Sequence, residues 1–221
     1  RLRSLLGGIE PPSEFPSIVM SLGEPAHPYP DFVGNIIDAN RHLYGKYPPL
    51  KGPKEFRIAV SEWLTGRYRL NPGTLYPNRH IMPLAGSREG LNLIAPVVVP
   101  ESIRVAGRNL KPIVLLPNPM YQVYLGAAIF SGAEAALMPC TAETGFLPNF
   151  EILDSKTLER TSMAFLCTPS NPQGTIASID YLCRTIELAR KYNFLLVVDE
   201  CYAEIYNDAP PPGALEACRE I

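Results

Sequence analysis

The sequence predicts an α/β fold: a mostly parallel sheet with flanking helices. Three observations carry this. From about Arg79 onward, short apolar runs alternate with helical segments, the rhythm of consecutive βα units. Three of those runs close on polar turns bearing Pro or Gly: LAGSRE, LPNPMYQ and CTPSNPQG. In such sheets ligands collect beyond the carboxyl ends of the strands. Finally, Phe194 to Val198 run without a break into Asp199 and Glu200, which reads as a strand buried on both faces. A carboxylate at the end of a buried strand is costly unless something positive meets it.

Taken in order, the first thirty residues are rich in Pro and Gly and read as extended. Phe32, Val33, Ile36, Ile37, Leu43 and Tyr44 then form an apolar stripe at helical spacing. KYPPLKG breaks it with two prolines and a glycine. A second stripe, Phe56, Ala59, Val60, Trp63, Leu64 and Tyr68, predicts an amphipathic helix that Asn71-Pro72-Gly73 ends. IMPLAG reads as a strand, and SREGLNLIAPVVV as a helix that Pro96 shortens or kinks. PIVLLPNP leads into the helix YQVYLGAAIF, and EAALMP and MAFLCTP are further strand-like runs. The helix IDYLCRTIELARKY and the strand FLLVVDE complete the alternation.

The 221 residues suffice for one substantial core, or for one domain and part of another. With 46% hydrophobic and 19% charged residues the composition is that of a globular protein. A net charge of −2 argues against nucleic acid or an acidic membrane as a bulk partner, while leaving room for a local basic pocket. The cysteines, Cys140, Cys167, Cys183, Cys201 and Cys218, are odd in number and show no CxxC spacing. Neither a disulfide framework nor a metal site is expected, but reduced thiols in a cytoplasmic protein. No secretory segment is expected from the opening residues, and no apolar run is long enough to span a bilayer.

Four turns can carry chemistry. At Gly86-Ser87-Arg88-Glu89-Gly90, free backbone N–H groups and the Ser87 hydroxyl suit a phosphate. The motif is neither a Walker loop nor GxGxxG, and a tight turn with a Ser cap explains it equally well. Tyr121 opens a helix at a strand end, where its ring either stacks on a flat ligand or packs in the core. Asn171, held in a turn with Pro169 and Pro172, presents a fixed donor and acceptor. Tyr202, three residues after Asp199, faces the same cavity in a helical or turn geometry.

With these motifs in this order, SLGEP, KYPPLKG, LAGSREGL, LPNPMYQVY, CTPSNPQG and VVDECY, the chain resembles the fold-type I, pyridoxal-phosphate-dependent aminotransferases of classes I and II. The resemblance implies a role for each residue. Asp199 pairs with the protonated pyridine nitrogen of pyridoxal 5′-phosphate and counts as catalytic. Asn171 and Tyr202 bond the phenolic oxygen, and Tyr121 stacks on the ring. Gly86, Ser87 and Arg88 hold the phosphate. Tyr47 reaches the phosphate of a neighbouring subunit, so a homodimer is implied, and Gly23 lies near the substrate carboxylate. Residues 1–45 correspond to an N-terminal arm and part of the small domain, and 46–221 to an incomplete large cofactor-binding domain.

The departure from the family is equally specific. The family's Schiff-base lysine lies in a Ser-and-Lys-containing turn after the DECY element, and its substrate-clamping arginine later still. The lysines here, Lys46, Lys51, Lys54, Lys111, Lys156 and Lys191, match no such turn. The chain is therefore expected to be the N-terminal part of an aminotransferase, inactive alone, with an unpaired sheet edge. Within the family its wording is most similar to proteobacterial succinyldiaminopimelate aminotransferases of lysine biosynthesis, which use glutamate and 2-oxoglutarate. A non-catalytic domain of a transcription regulator, or a carbon–sulfur lyase or decarboxylase on the same scaffold, are the alternatives.

Overall fold

The computed structural model describes residues 2–5, 7–9, 12–16, 18 and 27–221. The chain divides into two compact units, Arg1–Tyr47 and Pro48–Ile221. The first contains helix α1 (Leu2–Leu5), helix α2 (Asp31–Ala39) and a 3₁₀ turn at Arg41–Leu43. α1 corrects the extended reading of this region, since LRSL precedes the first glycine and Leu and Arg are good helix formers. α2 forms where the stripe predicts it, yet Phe32, Ile36 and Ile37 stay exposed.

In the second unit come α3 (Lys54–Arg67), α4 (Pro77–His80), α5 (Ser87–Val98), a β1 (Ile103–Val105) and β2 (Arg108–Leu110) hairpin, and β3 (Ile113–Asn118). They are followed by α6 (Gln122–Phe130), β4 (Glu134–Pro139), α7 (Ser155–Arg160), β5 (Thr161–Cys167), α8 (Ile179–Tyr192), β6 (Leu195–Asp199) and α9 (Ala214–Glu220). Strands β3 to β6 form one parallel sheet in the order β4-β3-β5-β6. Successive residues of a strand face opposite ways, and the two faces are covered differently. Val114, Leu116, Met163 and Phe165 pack with Leu91 and Ala95 of α5 and Tyr124 and Ala128 of α6. Ile113, Leu115 and Ala164 pack with Leu158 of α7 and Ala189 of α8.

This strand order positions the site. From β3 the chain steps to β4 on one side. It then returns to the other side of β3 as β5, and steps on to β6. Connections diverge between β3 and β5, and such a switch opens a crevice at the carboxyl ends of the strands.

Several elements differ from the sequence pattern, each for a physical reason. Residues 81–86, strand-like in composition, form no ladder, because they have no strand neighbour among the described residues. β6, doubly buried by composition, is an edge strand among the described strands, with Leu195 exposed and Leu196 to Val198 half-buried. α3 turns Arg57 and Ser61 inward and leaves Phe56 and Trp63 exposed. Arg57 Nη1 donates to Asn78 Oδ1 at 2.5 Å and the Ser61 hydroxyl to Ile58 O at 2.9 Å, while the buried Arg57 Nε finds no partner among the described residues. α3 also stops at Arg67, before Asn71-Pro72-Gly73, while α5 runs past Pro96 to Val98. A proline this late in a helix removes only one terminal hydrogen bond.

Candidate functional site

A cavity of about 190 Å³ lies at the carboxyl ends of β3, β5 and β6. Tyr121 and Tyr124 line it after β3, Cys167 and Asn171 at the end of β5, and Asp199, Cys201 and Tyr202 after β6. Ser87, at the start of α5, closes the remaining wall.

Asp199 is the chemical centre. It is 9% exposed and sits opposite Cys167 in the β5–β6 register. The Tyr124 hydroxyl donates to Asp199 Oδ2 at 2.7 Å, and the Cys201 backbone N–H to Oδ1 at 3.2 Å. Hydrogen bonds to a charged acceptor are among the stronger ones. Both donors are neutral, however, and no Lys, Arg or His pairs with Asp199 among the described residues.

Tyr124 is almost wholly buried, its ring stacked on Phe165 at 4.6 Å and 10° and set edge-on to Tyr121 at 5.9 Å. Burial first, and the Asp199 charge second, hold its hydroxyl far above the usual tyrosine range, so it remains a donor. The Cys201 thiol is pushed up to about 12, by partial desolvation of the sulfur and then by Asp199, on a residue that is otherwise exposed. Burial and Asp199 likewise raise the Cys167 thiol. Thiols raised in this way stay neutral and are poor nucleophiles.

The other walls offer donors. Gly86 is the N-cap of α5 at φ 147° and ψ 153°, a conformation that favours glycine. Gly86, not Ser87, occupies the N-cap position, so Ser87 is the first helical residue rather than the cap of the sequence alternative, and it lines the cavity. The first N–H groups of α5 have no partners within the helix and form an anion-binding end. Arg88 Nε donates to the Tyr121 hydroxyl at 2.8 Å, tying this end to the aromatic wall. Across the cavity, Asn171 Nδ2 donates to the Tyr202 hydroxyl at 3.4 Å. The Thr168–Pro169 and Asn171–Pro172 bonds that flank Asn171 are both cis.

The fold thus brings together Ser87, Tyr121, Asn171, Asp199 and Tyr202, with Gly86 and Arg88 beside them. Tyr47 closes the first unit with its side chain exposed. Gly23 lies outside the described residues. Among the described residues no lysine lines the cavity. Sequence reasoning missed Tyr124, although its i,i+3 spacing from Tyr121 at a helix start puts both on one face. Among the described residues no group of three or more His, Cys, Asp or Glu could hold a metal ion, and no helix is long and apolar enough to cross a membrane.

The chain is similar in sequence and fold to known proteins. The LL-diaminopimelate aminotransferase of Desulforudis audaxviator is 31% identical over 209 residues, covering 92% of this chain and 50% of the relative. The crystal structure of an aminotransferase from Neisseria meningitidis matches with a TM-score of 0.88 and 34% identity, over 99% of this chain and 54% of that one. The aminotransferase AspB of Helicobacter pylori matches with a TM-score of 0.86 and 33% identity, over 99% and 54%. The chain spans about half the length of the curated relatives it matches. The profile of the family described as aminotransferase class I and II covers residues 17–218. By its sheet order, its strand-end cavity and this match, the chain belongs to the class I and II aminotransferases.

Proposed function

We propose that this chain supplies most of the pyridoxal 5′-phosphate site of an aminotransferase. The observation that carries the reading is Asp199, a buried carboxylate with two neutral donors and no counter-charge among the described residues, facing a cavity walled by a helix N-terminus and an amide–phenol pair. This donor set fits the cofactor. Asp199 would hold the protonated ring nitrogen, and Asn171 and Tyr202 the phenolic oxygen. The Ser87 hydroxyl, Arg88 and the α5 N–H groups beside Gly86 would hold the phosphate, and Tyr121 the ring face.

The bound cofactor supplies an electron sink for the substrate carbanion. The protein's residues make that sink effective. Asp199 would keep the ring nitrogen protonated, with its two oxygens oriented by Tyr124 and the Cys201 N–H. Burial raises the Tyr202 hydroxyl above its usual range, so it stays a donor. The neutral thiols of Cys167 and Cys201 do not compete for the cofactor's aldehyde. With no lysine on the cavity wall, the chain by itself is expected not to transaminate.

In the whole protein we infer transfer of an amino group between a diaminopimelate-type amino acid and 2-oxoglutarate, in lysine biosynthesis in the cytoplasm. Relatives at about 30% identity carry the name LL-diaminopimelate aminotransferase, which supports the carbon skeleton. The N-succinyl form is the other candidate. Glutamate formation from 2-oxoglutarate with each, and with aspartate as control, separates them. We also assign Tyr47, exposed here, to the phosphate of a second copy in a homodimer, and Gly23 to the substrate carboxylate.

Calorimetric titration of the chain with pyridoxal 5′-phosphate tests the cofactor reading. One site per chain is expected. Asp199→Asn should weaken binding by about 2–5 kcal/mol, the cost of removing one partner of a buried charge pair. A parent chain that binds no cofactor overturns the reading, and an unaffected variant removes Asp199 from the ring nitrogen.

A further inference from the structure

We propose that Glu200 is a positioning residue: with Tyr68 it latches the turn carrying Asp199 and Tyr202 onto the end of α3. The inference rests on the cofactor reading above. Asp199 and Glu200 are consecutive carboxylates with separate sets of partners. Asp199 bonds Tyr124 and the Cys201 N–H beside the cavity. Glu200 Oε2 accepts a hydrogen bond from the Tyr68 hydroxyl, and its Oε1 accepts the Ala214 N–H, at the start of α9, at 2.7 Å. Both oxygens are therefore committed, to two elements far apart in sequence.

The latch is braced around Tyr68. That ring is 2% exposed, and a Cβ added to Gly213 would fall 2.4 Å from its Cε1, so backbone lies flat against it. The guanidinium of Arg67 sits 4.8 Å above the same ring. Arg67 Nε donates to Glu204 Oε1 at 2.6 Å, and its Nη2 to Pro211 O at 2.9 Å and Ala203 O at 3.4 Å. Within itself the turn has three short-range bonds: Cys201 N–H to Asp199 Oδ1 at 3.2 Å, Ala203 N–H to Glu200 O at 2.9 Å and Ile205 N–H to Tyr202 O at 3.0 Å. The Asn171–Tyr202 contact, at 3.4 Å, is long for a hydrogen bond and sensitive to where the turn sits. Burial and the Glu200 carboxylate keep the Tyr68 hydroxyl protonated, so the latch stays closed at ordinary pH.

The test compares two probes on the full chain, pyridoxal 5′-phosphate and inorganic phosphate, by calorimetry. The phosphate end is built by α5, and the hydrogen bonds of Glu200 and Tyr68 run to each other and to Ala214 rather than to that end. The parent chain must first bind the cofactor; if it does not, the cofactor reading has failed, whatever the latch does. With that binding in hand, Tyr68→Phe and Glu200→Ala should each weaken the cofactor about tenfold, the worth of one buried hydrogen bond to a charged group. Phosphate affinity should stay within about twofold of the parent. Glu200→Gln, which keeps an acceptor for Ala214 N–H and lets the Tyr68 hydroxyl turn to accept, should recover most of the loss. Tyr68→Phe keeps the buried ring, so it carries the test if Glu200→Ala does not fold. Unchanged cofactor affinity in Tyr68→Phe, or an equal loss for both probes, would overturn the proposal.

Discussion

β5 and β6 are neighbours in register, with Cys167 opposite Asp199, and they end in unlike ways. β5 is buried along its whole length, and the turn after it is largely self-contained. Thr168 Oγ1 accepts the Ala177 N–H at 2.9 Å, Ser170 Oγ accepts the Thr175 N–H at 2.9 Å, and the Gly174 N–H reaches Ser170 O at 2.7 Å. β6 is half-exposed, and its turn depends on donors from elsewhere: Tyr124 of α6, Tyr68 and Arg67 at the end of α3, and the Ala214 N–H. The first arrangement presents one rigid side chain, Asn171. The second holds a buried carboxylate, Asp199, among neutral donors and leaves the balancing charge to a ligand.

The contrast makes unequal predictions. The largest effect belongs to β5. Phe165→Ala removes a fully buried ring beneath Tyr124 and should cost about 3–5 kcal/mol in urea unfolding. A loss of only about 1 kcal/mol, the size of an ordinary substitution, would break the claim that β5 is the core of the sheet.

Next comes the bond that joins the two regions. Tyr124→Phe leaves the ring stacked on Phe165 but takes one of two donors from Asp199. The expected cost is about 1.5–3 kcal/mol, measured as urea unfolding near neutral pH. If stability were unchanged, water or another group would have to satisfy Asp199, and the dependence of the β6 end on α6 would be refuted.

The smallest effect is on pH dependence. Cys201 titrates at about 12 in the folded chain against 9.0 as a free thiol. Because the folded value is the higher, the unfolded chain gives up its proton first. That contribution to stability is complete below pH 9 and declines as pH rises from there toward 12. Tyr68 and Tyr124, both raised, act in the same direction from about pH 10 upward. Cys201→Ala should therefore lose less of its urea midpoint than the parent between about pH 8 and pH 10. Equal losses would show that partial desolvation and the neighbouring Asp199 do not raise the thiol.

Much of the site was legible because each local pattern has few physical causes. An apolar run ending in a carboxylate marked Asp199, and prolines around a polar amide marked Asn171. Tyr124 was hidden because a tyrosine inside an apolar helix reads as core. It is core, and only its hydroxyl does anything else. Glu200 was hidden behind Asp199, since nothing local says that adjacent carboxylates have different partners. The β1–β2 hairpin escaped notice because its turn places Ala106 at φ 48° ahead of Gly107, without the usual Asn-Gly signal.

The sequence by itself determined the α/β alternation, the longer helices α2, α3, α5, α6 and α8 and the polar turns, because these depend on residue periodicity and turn chemistry within a few neighbours. Only the tertiary structure decided which runs pair as strands, which face of α3 is buried, and which donors meet Asp199 and Glu200. Those outcomes depend on contacts between residues far apart in the chain. No local spacing encodes them, so they appear only once the strand order β4-β3-β5-β6 brings the elements together.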